Sequence, residues 1–140
     1  MNLRRATPDD VAALTAVLDA AYAPFQVLGL PPVTEGIGDD IRDHNVWVAE
    51  IAGEVFGGIV LVLGNQAHIA NLAVHPAAGG NGVGKALIEK ASEASAAAGH
   101  RVIRLATHAE MTTTQAFYRK LGWSETGREG NKVYFQQQLT

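Results

Sequence analysis

The chain has 140 residues, 47% of them hydrophobic, with a formal net charge of −3 and no cysteine. That length suits one compact domain, residues 1–140, burying roughly two-thirds of its extended surface without covalent staples. The missing cysteines exclude disulfides, thiolate metal sites and a cysteine nucleophile, and the scattered lysines and arginines form no basic stripe for a nucleic-acid backbone.

The opening "MNLRRATPDD" lacks the apolar core of a signal peptide, and no apolar run reaches membrane-spanning length. A cytoplasmic protein with no membrane or nucleic-acid partner is expected. Residues 2–6 read as a short first strand. Thr7 then stands as an N-cap, with Pro8 at the first helical position and Asp9 and Asp10 where the helix dipole welcomes carboxylates. Val11, Leu14, Val17, Leu18 and Ala21 recur at helical spacing, so this helix runs to about Ala21. Residues 22–45, punctuated by Pro24, Gly29, Pro31, Pro32, Gly36 and Gly38, form a long connection with a short helix around 37–44. Connections this long are more often functional than idle.

"VWVAEI" and "EVFGGIVLVL" flank Ala52–Gly53 and predict a hairpin, its second strand apolar almost throughout and so buried on both faces. "AHIANLAV" gives a further strand ending at Val74, stopped by His75–Pro76. A glycine-rich loop leads into a helix from about Gly82 to Ala98, alanine-rich and ended by Gly99. "RVIRLAT" is another strand. "TTTQAFYRKLG" is a helix, with Thr112 and Gln115 at capping-box spacing and Gly122 as its stop. Two last strands, near 123–127 and 131–139, close the chain. Strands joined through a crossover helix to another strand predict a mixed α/β sheet.

The stretch "HPAAGGNGVGKAL", residues 75–87, points most directly to chemistry. Glycines there let the backbone turn with its N–H groups outward at a helix N-terminus, which attracts anions. Gly79, Gly84 and Lys85 match P-loop spacing, but Ala86 removes the hydroxyl that would hold magnesium. The dinucleotide fingerprint fails as well, since Lys85 stands where its third glycine belongs. A flexible loop that only caps a helix is the plain alternative.

With its flanks, "LAVHPAAGGNGVGKAL" resembles the central motif of the GNAT superfamily of N-acetyltransferases. There an L-A-V strand ends in proline, and a loop of the form [RQ]-x-x-G-x-[GA] cradles the pyrophosphate of acetyl-CoA. Gly82 and Gly84 fall on the two small-residue positions, Gly80 and Asn81 on the variable ones. "MTTTQAFYRKLGWSETGR" is similar to the family's late helix, which carries a tyrosine and then an L-G-aromatic turn. Order and spacing agree from "LRRATPDDVAAL" to "KVYFQQQL". Two departures stand out: Gly79 replaces the usual Arg or Gln, and Met111 replaces an asparagine often found seven residues before the tyrosine.

The resemblance implies an α/β (α+β) fold: a mostly antiparallel sheet of six or seven strands, flanking helices, and a strand ending at Val74 that splays from the one at 102–107. It implies acetyl-CoA as cosubstrate, without a metal, held by Leu72, Ala73, Val74, Gly79, Gly80, Asn81, Gly82, Val83, Gly84 and Lys85. Pantetheine would lie in the gap and bond like an extra strand near Leu72 and Val74, with the Val74 N–H or a neighbour as oxyanion donor. Tyr118 aligns with the tyrosine that protonates the CoA thiolate in many members, and a phenol near pKa 10 suits that exchange. An ordinary half-buried tyrosine is the alternative. His68 begins its strand where histone-type members carry a catalytic glutamate, and its free pKa near 6.5 suits a base. A surface histidine is the competing view; His108, Glu110 or water are the other candidate bases. His75 reads as structural, His44 and His100 as surface, and none shows metal-ligand spacing.

The acceptor is expected between residues 22–45 and the hairpin near Gly127–Asn131. Glu35, Asp39, Asp40 and Asp43 outnumber Arg42 there, a hint of a cationic amine; Tyr22, Phe25 and Trp123 are pocket or core. The expected activity is acetyl-CoA-dependent N-acetyl transfer in a ternary complex, to a small amine before a protein. The alternative is a non-catalytic acyl-CoA-binding domain. Homodimers are common in the superfamily, so self-association is a further partner expectation.

Overall fold

In the computed structural model, residues 1–23 and 36–139 are described. Strands β1 (Asn2–Arg5), β2 (Asn45–Ile51), β3 (Glu54–Leu63), β4 (Ala67–Val74), β5 (Val102–His108), β6 (Ser124–Glu129) and β7 (Lys132–Gln138) form one sheet. Its order is β1-β2-β3-β4-β5-β7-β6, antiparallel throughout except for the parallel β4–β5 pair. Helices α1 (Val11–Tyr22), α2 (Ile37–Asp43), α3 (Val83–Ala97) and α4 (Thr112–Lys120) cover its faces. The mixed, mostly antiparallel architecture agrees with the sequence expectation. Among the described residues no helix is long and apolar enough to cross a membrane.

Side-chain alternation along the strands sorts the core into two halves. Trp47, Ala49, Ile59, Leu61, Ile103, Leu105, Val133 and Phe135 pack on one face with Val83, Leu87 and Ala91 of α3. Val46, Val48, Val60 and Ala73 meet Leu14, Val17 and Leu18 of α1 and Ile37 of α2 on the other. Strand β3 is buried on both faces from Gly57 to Leu61, as its unbroken apolar run predicts. Two adjacent glycines let both helices approach it. A Cβ on Gly57 would lie 2.7 Å from Val83 Cγ1 and 3.2 Å from the Ala73 carbonyl oxygen, while one on Gly58 would overlap Leu14.

Strand β4 carries an irregularity that its sequence reading does not contain. Val60 pairs with Asn71 but Leu61 with Ile69, so Ala70 is an extra residue in the ladder. The phase of the strand flips there: Ala67 and Ile69 join the α3-side core, and beyond the bulge Leu72 and Val74 pack against that same core.

Two terminal details also differ from expectation. The N-cap of α4 is Met111, not Thr112, and no side chain caps that end. The Gln115 amide, instead of closing a capping box, donates to the His108 and Ala109 carbonyls at 3.1 and 3.0 Å. The His108 carbonyl also accepts the Met111 N–H at 3.0 Å, whereas buried Gln115 is the donor given to the Ala109 carbonyl among the described residues. At the other end of the chain, Thr7 caps a single 3-10 turn, Pro8–Asp10, that leads into α1. Asp10 accepts the Thr7 N–H at 2.7 Å and both terminal nitrogens of Arg4 at 2.7 and 2.8 Å.

Two stability outcomes follow from this packing. Gly57→Ala should cost about 1–3 kcal/mol, because a stiff valine and a backbone carbonyl, not a mobile side-chain tip, meet the new methyl. A urea midpoint equal to the parent's contradicts that close approach. The Arg4 guanidinium, ahead of the Thr7 N–H, holds the Asp10 carboxyl at about 2, below its ordinary 3.8. A depressed folded pKa gives stability that is present above the ordinary value and lost as pH falls through the folded one. The stability gap between the parent and Asp10→Asn is therefore expected to be full at neutral pH and to shrink as pH approaches about 2. Chemical denaturation at both pH values checks this, and a gap independent of pH contradicts it.

Candidate active site

The β4–β5 pair lasts for three residues, Ala67–Ile69 against Ile103–Leu105, and then the strands part. A cavity of about 1120 Å³ fills the divergence. Its walls are β4 from Ile69 to Val74, the loop after it, the end of β5 from Leu105 to His108, and the α4 face bearing Thr114, Phe117 and Tyr118. Tyr22 at the end of α1 closes part of the α1 side.

Hydrogen-bond directions along β4 follow from one contact. The His75 N–H donates to the Phe56 carbonyl at 2.7 Å, so the backbone at His75 faces β3. Alternation turns Ala73 the same way and aims the N–H and C=O of Leu72 and Val74 into the cleft, where β5 has already left. Of the predicted β4 contacts, Leu72 and Val74 present backbone to the cavity. Ala73 is bonded to β3 and has its methyl under α1.

The loop after β4 offers a row of donors. Gly80 and Gly82 hold φ values of +83° and +73°, a region that favours glycine, and Gly82 is the N-cap of α3. The Gly79 N–H is taken by the Pro76 carbonyl at 3.1 Å and the Asn81 N–H by the Ala78 carbonyl at 3.3 Å. These two predicted contacts therefore contribute no backbone donor, and Asn81 lies outside the cavity lining. The amides of Gly80, Gly82, Val83, Gly84 and Lys85 have no protein acceptor among the described residues. The first turn of α3 holds no acidic residue and includes exposed Lys85, so helix dipole and side-chain charge favour an anion together. Gly84 also fits closely against α4: a Cβ there would stand 3.2 Å from Phe117 Cζ. This donor row beside a cavity of about 1120 Å³ fits the diphosphate and arm of acetyl-CoA.

Tyr118 is 5% exposed and packs its ring against Phe117, Trp123 and Phe135, with centroids 5.4, 5.7 and 5.9 Å away. Its hydroxyl finds no hydrogen-bond partner among the described residues, and no buried side-chain polar atom there is left unsatisfied. The oxygen therefore keeps its access to the cavity that Tyr118 lines. Burial, with a smaller contribution from nearby Tyr22, pushes this phenol well above its ordinary value. It stays protonated, a hydrogen-bond donor rather than an evenly balanced acid. Tyr22 in turn donates to Asn71 Oδ1 at 3.3 Å, joining α1 to the β4 bulge. Burial raises its pKa too. Nothing in the sequence reading singles out Asn71; the signal it misses is the change of apolar phase at Ala70.

His68 is exposed at the start of β4, paired with Val62 and Arg104, and is not part of the cavity wall. The structure does not bring it to Tyr118, because the cleft opens at the far end of the strand. His108 does line the cavity. Its Nδ1 accepts the Glu110 N–H at 3.0 Å, which places the proton of the neutral ring on Nε2. Glu110 itself is exposed and outside the lining. His75 accepts the Ala77 N–H through Nδ1 at 3.0 Å, a structural use. Among the described residues no carboxylate lines the cavity. Asp39 and Asp43 pair with Arg42 at 3.0 Å on the surface of α2 instead. Trp123 is core; Phe25 and Glu35 lie outside the described residues.

The fold is shared with solved acetyltransferases. PaiA N-acetyltransferase from Thermoplasma acidophilum, crystallised with coenzyme A, superposes with a TM-score of 0.87 at 18% identity, covering 98% of each chain. The ribosomal-protein-S18-alanine N-acetyltransferase of Escherichia coli is similar at a TM-score of 0.81 and 17% identity, over 99% of this chain and 94% of that one. The yncA protein of Salmonella typhimurium, solved with acetyl-CoA, gives 0.77 and 21%, over 100% and 94%. No curated protein sequence matches the chain significantly. The acetyltransferase (GNAT) domain profile matches residues 42–125, more than half of the chain, taking in the parted strands, the donor loop and Tyr118. The protein belongs to the GNAT acetyltransferase family.

Proposed function

We propose that this acetyltransferase moves the acetyl group of acetyl-CoA to the nitrogen of a small primary amine, by direct attack while both substrates are bound. The observation that carries this is the run of unengaged amides at Gly80 and Gly82–Lys85, leading into a cleft that Tyr118 lines. When bound, acetyl-CoA supplies the thioester whose C–S bond breaks as the C–N bond forms. The loop amides and Lys85 hold the diphosphate, fixing the arm along Leu72 and Val74. Such positioning is itself worth several kcal/mol of barrier. The Val74 N–H, turned into the cleft, donates to the carbonyl oxygen as charge grows there. The Tyr118 hydroxyl donates to the departing sulfur. The amine proton leaves to water in the open cleft, since the described walls hold no carboxylate and the His108 Nδ1 lone pair is occupied. His68 has no part in this scheme.

Gly82→Val forces a β-branched residue to a φ of +73° and breaks the donor row. Its acetyl-CoA affinity should fall by roughly tenfold or more, as expected when charge-assisted hydrogen bonds are lost. Unchanged affinity by calorimetry refutes the cradle. Tyr118→Phe removes a hydroxyl that bonds to no described group, so folding is spared. Its kcat should drop by about 10²-fold while acetyl-CoA affinity stays within about threefold. Full activity returns Tyr118 to packing. An amine panel incubated with acetyl-CoA, followed by free-thiol release, tests the whole scheme. Binding without turnover across the panel assigns the chain to acyl-CoA binding alone.

A further inference from the structure

We propose that the acceptor amine carries an anionic group, a carboxylate or a phosphate, held by His108 and Lys132 where the cleft opens on the α1 side of the sheet. This rests on the N-acetyltransferase reading above and names the class of its second substrate.

His108 and Lys132 are direct cross-strand partners on β5 and β7. The residues alternating with them, Leu105 on β5 and Val133 and Phe135 on β7, belong to the α3-side core. His108 and Lys132 therefore project from the opposite face, the one that carries Asn71 and Tyr22. On that face α1 packs over β3 and β4, and α2 over β2. Among the described residues neither helix packs over the end of β5 or the start of β7 to a comparable extent, and both His108 and the exposed Lys132 line the cavity there. The diphosphate loop, at the N-terminus of α3, lies on the other side. The two substrates thus meet the sheet gap from opposite faces.

The chemistry of this wall is one-sided. The Glu110 N–H fixes His108 with Nε2 as a donor, and Lys132 adds an ammonium beside it. The carboxylates nearby do not answer them. Glu110 is exposed outside the lining, and Glu125 is held by Arg119 and Arg128 at 2.8 and 3.0 Å. Glu129 pairs with Lys132 across the β6–β7 ladder without forming an ion pair within 4.0 Å among the described residues. Lys85 faces the diphosphate in the proposed scheme, so Lys132 is the remaining lysine or arginine toward the acceptor among the described lining residues. A diamine or a lysine side chain would enter against like charge, with no carboxylate among the described lining residues to meet it. An amine bearing an anion a few bonds from its nitrogen satisfies both donors and leaves the nitrogen toward Tyr22, Asn71 and the thioester.

The test uses matched acceptors with acetyl-CoA: an amino acid against its carboxamide, an aminoalkyl phosphate against the amino alcohol, and a diamine. The anionic member of at least one pair should show a kcat/KM roughly tenfold or more above its neutral partner, and the two pairs separate carboxylate from phosphate. Lys132→Glu should abolish that preference, with calorimetric acetyl-CoA binding confirming that the variant is folded. Turnover favouring the neutral members or the diamine overturns the anionic acceptor while sustaining the transferase. A preference that survives Lys132→Glu overturns the assigned wall. Acetyl-CoA binding with no turnover of any amine overturns both proposals.

Discussion

The parting of β4 from β5 after three residue pairs is the constraint on which the site depends. A sheet normally satisfies every backbone donor and acceptor along its inner strands, because an unpaired buried group costs as much as a lost hydrogen bond. Here the inner strand β4 becomes an edge beyond Ile69, and the cleft-facing groups of Leu72 and Val74 meet open space instead of β5. An edge of this kind is a template for an extended ligand that can hydrogen-bond as a strand does. The extra residue at Ala70 makes the arrangement compatible with a continuous core. It shifts the alternation so that apolar side chains on both sides of the bulge still face α3. Without that shift, Leu72 and Val74 would turn toward α1 and the buried surface under α3 would be interrupted.

What stands around the cleft is held by packing at one neighbouring strand. Gly57 and Gly58 lie side by side on β3 with opposite orientations, so α3 and α1 are both drawn against the same two residues. Helix α3 carries the donor row at its N-terminus, and α1 carries Tyr22 at its C-terminal end. The spacing between the anion cradle and the Tyr22–Asn71 pair is thereby set by buried Val83, Leu87 and Leu14 seated directly on glycine backbone. Sites supported in this way hold their geometry better than sites carried by loops alone.

The sequence discloses the parts of this fold that have strong local signals. The β2–β3 hairpin, the doubly buried β3, the amphipathic α1 and the glycine loop leading into α3 all follow from periodicity and turn chemistry. The bulge is legible only in hindsight: Ala67 and Ile69 set one apolar phase, Leu72 and Val74 the other, within eight residues that otherwise read as one strand. Thr112 and Gln115 show how a local rule yields to a tertiary need, since the carbonyls at the end of β5 claim the Gln115 amide. Histidines are harder still. His68 and His108 both sit on strands beside the gap, but which end of β4 and β5 stays paired is a property of the sheet and not of either segment. Spacing along the chain carries no trace of it. The acidic run of α2 sits apart from the cavity wall: Arg42 pairs with Asp39 and Asp43 on the helix surface, and none of Asp39, Asp40 and Asp43 lines the cavity.

The electrostatics of the cleft impose an order on the proposed chemistry. Burial keeps the Tyr118 phenol protonated, the cleft-facing amides are donors, and the described cations outnumber the described carboxylates along the walls, which hold none. Such a site is well supplied to stabilise negative charge and poorly supplied to remove a proton. Its advantage for acyl transfer therefore has to come from alignment and from stabilising the oxygen and sulfur on which charge appears. In the proposed scheme the acceptor loses its proton to water, which leaves the walls to stabilise charge rather than to move protons. In that scheme such walls disfavour a purely cationic acceptor and favour one that brings an anionic group of its own. The lack of a carboxylate among the described wall residues and the proposed anionic acceptor are, on this view, two consequences of one charge distribution.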